Sequence, residues 1–328
     1  MDQRQGRLVG MSSFPPSPIL VDVGEGVELS ALTWNLNGAE RPALLVHGLA
    51  SNATLWSGVA ESLAADGHPV AAVDLRGHGH SSKPDVGYDF ASINSDLRSV
   101  LGRLGWVSGE PVVAGQSWGA NVVLDFAAHN PDALSGLVLV DGGTIELSSN
   151  FADWPTCREA LTPPKLTGIK IGDFEEMIRS RHPDWPETGI AGSIANMEVL
   201  EDSTIRPWLS LDHHLQILRH LWEHRPSELY RLVGCPVTLI VAEDPTNARW
   251  MAGKRHGVTS AAAALANCEV RWVRGDHDLH AQFPALVAGL IEATPERSES
   301  VPPSHTLDGL AASEDGWSGQ LASPGAGS

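Results

Sequence analysis

With 328 residues and 42% apolar side chains, the chain can bury one large α/β core and still carry an insertion. Its net charge of −18, from 40 acidic and 22 basic residues, argues against nucleic acid or an anionic membrane surface as partner, because such binding draws on Lys and Arg. Three cysteines, Cys157, Cys235 and Cys268, show no metal-ligand spacing and suggest neither a disulfide framework nor an oxidising compartment.

In chain order, residues 1–18 contain Pro15, Pro16 and Pro18 and read as a loose N-terminal arm. Met1–Arg7 is polar and no apolar run follows it, so no secretory signal is expected. No stretch approaches the roughly 20 apolar residues of a membrane span, and a cytoplasmic protein is expected. Residues 19–23 and 27–34 alternate as two strands joined at Gly24-Glu25-Gly26. A strand at 43–47 precedes a helix at about 54–66, and a strand at 70–74 precedes a helix at about 90–104. The apolar run 111–114 reads as a buried strand. The helix after it, 120–129, has Val122, Val123, Phe126 and Ala127 at helical spacing. Another strand at 137–140 is closed by Asp141-Gly142-Gly143. This alternation predicts an α/β fold with a mostly parallel, doubly wound sheet and helices on both faces.

The pattern breaks over 144–232, where strands vanish and Trp154, Trp185, Trp208 and Trp222 appear with Phe151, Met177, Met197 and Leu215. The sheet resumes with strands at 236–241 and 269–273. Residues 294–328, rich in Ser, Pro, Gly and acidic residues, read as a disordered tail. The expected organisation is a core of 19–143 and 233–293 with an inserted segment at 144–232.

The chemistry centres on Gly115-Gln116-Ser117-Trp118-Gly119, a Gly-x-Ser-x-Gly motif between a predicted strand and a predicted helix. That context holds one serine on a sharp turn with its hydroxyl exposed above the sheet. Around it stand His47-Gly48 after one strand, Asp74-Leu75-Arg76-Gly77-His78-Gly79-His80-Ser81 after the next, and Gly275-Asp276-His277 late in the chain. Over roughly residues 19–292 this set resembles the α/β-hydrolase superfamily, in particular its capped serine hydrolases. The resemblance makes 144–232 a helical cap over the serine, and it implies no cofactor. It also makes Ser117 the nucleophile and His277 the base, since a serine hydroxyl needs a base within hydrogen-bond reach. His277 stands seven residues before Pro284, the family's spacing to the proline that opens the last helix, and His280 is left as a supporting or surface residue near the pocket rim.

The acid that orients the imidazole has two main candidates. Asp244 follows the strand whose tip usually carries it, but one residue short of the usual spacing, at which Pro245 stands. Asp141, 24 residues beyond Ser117, matches family branches that place the acid on the strand next to the serine. Glu243 is a third choice, and of the three Asp244 is preferred. The oxyanion hole is expected at the backbone N–H groups of Leu49 and Trp118, with Trp154, Trp185, Trp208 and Met197 lining a mostly apolar pocket. His47, Asp74, Arg76 and His78 read as braces of the loops. His220 and His224 have a spacing that could share a metal, but the run reads as solvated and no metal is expected. Gly77 and Gly79 open no phosphate loop, because no Gly-Lys-Ser/Thr follows.

The expected activity is hydrolysis of an ester or lactone of a largely apolar small molecule, a macrolactone included, through an acyl-enzyme. Cleavage of a ring-cleavage diketone and perhydrolysis are alternatives on the same residues, and a non-catalytic binding scaffold is the alternative of another class. Serine rather than aspartate at the turn argues against epoxide hydrolase and haloalkane dehalogenase.

Overall fold

The computed structural model describes residues 14–106, 111–244, 246 and 248–297. Residues 1–13, Pro245 and 298–328, hence most of the expected arm and tail, lie outside the described residues. The chain enters the sheet earlier than expected, at β1 (Ser17–Gly24), which pairs antiparallel with β2 (Val27–Trp34). Positive φ at Gly24, Glu25 and Gly26 makes the turn between them. Residues 294–297 pack on the core rather than beginning a loose tail. Thr294 is buried, and the Arg297 N–H donates to the Ser135 carbonyl at 2.8 Å.

β3 (Ala43–Val46) leads through a 3₁₀ turn into α1 (Ser57–Ala65), and β4 (Val70–Val73) leads into α2 (Phe90–Leu104). α2 matches the predicted span because both ends are marked. Asp89 caps it by accepting from the Ser92 N–H at 2.9 Å, and Gly105 stops it at φ 78°. β5 (Val112–Gln116), α3 (Trp118–His129) and β6 (Gly136–Val140) complete the first half.

The segment between β6 and the next core strand carries α4 (Leu147–Asn150), α5 (Trp154–Leu161), α6 (Ile171–Arg181) and α7 (Glu187–Ile194), then α8 (Leu211–Glu223) and α9 (Pro226–Leu229). It is not purely helical as expected. β7 (Met197–Val199) and β8 (Ile205–Pro207) form an antiparallel hairpin, too short to leave an alternating pattern in the sequence. Its own apolar cluster joins Phe174, Ile178, Trp185, Ile190 and Ile205 to Leu55 and Ala281 of the core. β9 (Val237–Glu243), α10 (Ala248–Ala264), β10 (Cys268–Arg274), α11 (Leu279–Gln282) and α12 (Pro284–Glu292) close the fold.

Among the described residues the main sheet has eight strands in the order β1-β2-β4-β3-β5-β6-β9-β10, parallel from β4 through β10. β3 to β6 are buried throughout, as parallel strands covered on both faces must be. Side chains alternate between the faces. Leu44 and Val46 join the cluster containing α2, α3 and α10, whereas Ala43 and Leu45 join the one containing α1 and α12. From β3 the chain steps outward to β4 on one side, then returns to β5, β6, β9 and β10 on the other. Loops leaving the carboxyl ends of β3 and β5 therefore diverge and open a crevice. No helix among the described residues is long and apolar enough to cross a membrane.

Candidate active site

Ser117 occupies the residue between β5 and α3 with φ 55° and ψ −123°, a conformation that side-chain-bearing residues avoid. The flanking glycines make this turn possible. A Cβ on Gly115 would overlap the Gly119 carbonyl, and one on Gly119 would overlap the carbonyl oxygen of His47. Because both obstacles are backbone, neither can swing aside. Gly119→Ala should lose about 3 kcal/mol or more of folding stability, read as the shift in a denaturant unfolding midpoint.

Ser117, His277 and Asp141 come together, 136 residues separating the last two in sequence. The Ser117 Oγ lies 2.8 Å from Nε2 of His277, and Nδ1 of His277 lies 2.6 Å from Oδ2 of Asp141. With Nδ1–H donating to the carboxylate, Nε2 is left to accept the serine proton. Asp141 sits at the tip of β6, buried, and its Oδ1 accepts the Ala242 N–H at 2.9 Å. Burial would raise its pKa, but hydrogen bonding to His277 and the charges of His277 and Lys254 hold it below the ordinary carboxylate value. For His277, desolvation pulls the pKa down, while its hydrogen bond to Asp141 and the charges of Asp278 and Asp141 pull it up. The net direction is upward.

Asp244, the preferred acid in the sequence, is not brought to His277. It is half-exposed just beyond β9, and its Oδ1 accepts both the N–H of Thr246, at 2.8 Å, and its hydroxyl, at 2.6 Å. A local Asx turn has taken its acceptor. Glu243 pairs with Arg255 on the surface.

The loop bearing His277 is clipped to its surroundings. The Asp276 N–H donates to Oε1 of Gln282 at 2.7 Å, and the Gln282 amide donates to Asp184 of the insertion at 2.5 Å. The Trp185 indole N–H and the His182 ring both donate to Oδ2 of Asp276, at 3.0 and 3.1 Å. Trp185 therefore clasps the insertion to the loop that bears His277.

The other three expected pocket residues also pack elsewhere. Trp154 lies against Trp222 and Arg219, Met197 borders the insertion's own apolar cluster, and Trp208 stands over Lys83 and beside His80. None of the four lines the cavity of about 370 Å³ beside His277 and Asp141. Its walls are Gly142, Thr144, Ile145, Asn150, Phe151, Leu239, Val241, Gly253, Lys254 and Val258. The cavity meets the site at His277 and Asp141; Ser117, Leu49 and Trp118 are not among its walls.

Leu49 follows His47-Gly48, and Trp118 opens α3, so the Trp118 N–H is among those a helix leaves without an internal partner. The loop holding Leu49 is braced as expected. His47 accepts the Leu75 N–H at Nε2, at 3.0 Å, and gives its Nδ1–H to the Gly48 carbonyl, at 2.7 Å. His78 accepts the Ala50 N–H at 3.2 Å and stacks on Trp118. Asp74 accepts from the N–H groups of Ala53 and His80, while Arg76 is bidentate to Asp96. Burial lowers both histidine pKa values, so each ring stays neutral and keeps one donor and one acceptor.

His280 is no rim residue. It is fully buried against Trp56, ring centroids 4.3 Å apart, and among the described residues neither ring nitrogen has a hydrogen-bond partner. Desolvation, helped by His277 and His47, pushes its pKa down to about 3. As pH falls below the unfolded value near 6.5, the unfolded chain takes a proton there that the native protein refuses, so stability is lost. The loss amounts to about 2 kcal/mol at pH 5. His280→Leu should flatten the acid side of the melting temperature against pH, and an unchanged slope would show that His280 carries no such penalty. His224, read as solvated, is also buried. Its Nε2 lies 3.0 Å from Oδ2 of Asp125, and it stacks on Phe90. Among the described residues no group of three or more His, Cys, Asp or Glu side chains is gathered as a metal ion would need.

A family model described as "alpha/beta hydrolase fold" matches residues 42–191. The 2-(acetamidomethylene)succinate hydrolase of Mesorhizobium japonicum is 30% identical over 226 residues, 67% of this chain and 78% of that protein. A crystal structure of E-2-(acetamidomethylene)succinate hydrolase superposes with a TM-score of 0.65 at 23% identity, covering 84% of this chain and 98% of that one. An esterase of Mycobacterium tuberculosis is 38% identical over 127 residues, 38% of this chain and 40% of the esterase. The chain spans 39% of the length of the first curated relatives it matches. The chain belongs to the α/β-hydrolase fold family.

Proposed function

We propose that the protein is a serine hydrolase that cleaves an ester or lactone of a compact, largely apolar acyl group. The observation carrying this reading is the continuous relay from Ser117 Oγ to His277 Nε2 and from His277 Nδ1 to Asp141, at 2.8 and 2.6 Å. As Ser117 attacks the carbonyl, His277 takes its proton and Asp141 stabilises the imidazolium. The tetrahedral oxyanion rests on the N–H groups of Leu49 and Trp118. His277 then returns the proton to the leaving alcohol, an acyl-enzyme remains, and water activated by His277 releases the acid.

The acyl group is assigned to the cavity that reaches the site at His277 and Asp141. Ile145, Phe151, Leu239, Val241 and Val258 make it mainly apolar, and its volume of about 370 Å³ is near the lower end for small-molecule sites. A medium acyl group suits it better than a macrolactone. The hydrolase from Mesorhizobium japonicum is named for a substituted succinate, a dianion at neutral pH. The cations in and around this site are otherwise engaged. Lys254 donates to Asp141 and Ala242, Lys83 to the carbonyls of Gly79 and Ser81, and Arg76 to Asp96. A neutral substrate therefore suits this chain better than a dianion.

The test is reaction of the purified protein with a fluorophosphonate probe, followed by a screen of p-nitrophenyl esters and lactones of graded acyl length. Labelling at Ser117 with a preference for short to medium acyl groups is expected. A folded protein that stays unlabelled would be a binding scaffold rather than a hydrolase.

A further inference from the structure

Asp141 holds one partner more than a serine–histidine relay requires. Lys254, on α10, places its ammonium 2.8 Å from Oδ1 and 2.9 Å from Oδ2 of Asp141, and 3.0 Å from the Ala242 carbonyl. Both side chains are largely withdrawn from water, Lys254 being 14% and Asp141 2% exposed. The carboxylate thus meets the Ala242 N–H and the ammonium at Oδ1, and the His277 N–H and the ammonium at Oδ2. Four contacts fill the lone-pair sites of a carboxylate and leave its plane no freedom to turn.

We propose that Lys254 is a positioning residue acting through Asp141: its ammonium locks the carboxylate plane and offsets its charge, so that His277 remains a neutral proton acceptor further into the acid range. The role of His277 as base rests on the hydrolase reading above; the effect on its charge does not.

The charges around the ring make the case. Asp141 faces His277 from the tip of β6, Asp278 from its own loop, and the neutral His280 from α11. Asp276 and the insertion's His182 stand beyond, around Asp278. Asp141 and Asp278 favour the imidazolium, and Lys254 is a cation that opposes them. A protonated His277 could not receive the Ser117 proton. Removing the lysine charge would therefore bring the ring to protonation at higher pH and cost activity on the acid side.

A purely structural lysine would hold Asp141 without affecting where His277 titrates, so the titration separates the two roles. The ring resonances of His277, assigned by their loss in His277→Asn, are followed by NMR against pH in the wild type, Lys254→Gln and Lys254→Arg. Lys254→Gln keeps an amide donor without charge and should raise the His277 midpoint by roughly half a pH unit. Lys254→Arg restores the charge and should bring the midpoint back towards the wild type. Lys254→Met, also uncharged, takes the place of the amide variant if that one does not fold. In parallel, the acid limb of the fluorophosphonate labelling rate should move up with the NMR midpoint. A His277 midpoint in the folded, uncharged variants equal to that of the wild type overturns the proposal. Absence of labelling in the wild type overturns the hydrolase reading instead, and the NMR titration still decides the role of Lys254.

Discussion

Ser117→Ala should lose fluorophosphonate labelling completely and about 10⁴-fold or more in kcat on any ester the wild type hydrolyses. The size of the loss follows from what the hydroxyl does. In the proposed mechanism it is the atom that bonds to the acyl carbon. The residual rate would come from the oxyanion donors and from binding alone. The fold should survive, because an alanine at this position needs no backbone geometry that the serine does not already adopt, and the glycines that shape the turn are untouched. Circular dichroism and the melting temperature should match the wild type closely. A folded Ser117→Ala protein with near-wild-type hydrolysis would sink the mechanism, and attention would pass to a water activated directly by His277.

Ser117 and His277 were legible because each is announced by its immediate neighbours. The glycines two residues either side of Ser117 are demanded by backbone overlap, and His277 follows the Gly275 turn at the end of a strand. The central strands were legible for a related reason. Strands covered on both faces must be apolar throughout, and Gly, Pro or Asp punctuates their ends.

What the sequence could not carry is the meeting of side chains far apart in the chain. Lys254 reaches Asp141 across 113 residues, and nothing near Lys254 distinguishes it from a surface lysine on a helix. The tryptophans misled for another reason. Their number suggested a pocket, whereas the cavity beside His277 is walled by other residues and the indole of Trp185 donates to the loop of His277. Two strands of three residues each, β7 and β8, are shorter than any window in which alternation can be recognised.

The acid is the most instructive case, and the comparison of Asp141→Asn with Asp244→Asn is its test. Asp141→Asn should lose roughly 10³–10⁴-fold in kcat. The amide has no charge to stabilise the imidazolium, and it can donate its own N–H towards Nδ1, which stabilises the wrong tautomer and puts the proton on the nitrogen that faces Ser117. It should also cost roughly 2–3 kcal/mol of stability, because the ammonium of Lys254 loses its counter-charge in a site largely withdrawn from water. Rates must therefore be normalised to folded protein, by active-site titration or by working well below the lowered melting temperature. Asp244→Asn should leave kcat within about twofold, since Asp244 closes an exposed turn with Thr246, which asparagine closes as well, and meets Lys254 only through space. With that outcome, the one-residue offset at Pro245 becomes a physical clue. An Asp followed two residues later by Thr is a self-contained turn, whereas Asp141 stands at a buried strand tip at φ 45°, held by the Ala242 N–H and directed at the imidazole. A crippled Asp244→Asn beside an active Asp141→Asn would mean that the β9 tip rearranges in solution to bring Asp244 to His277, and the relay drawn here would be wrong in its third member.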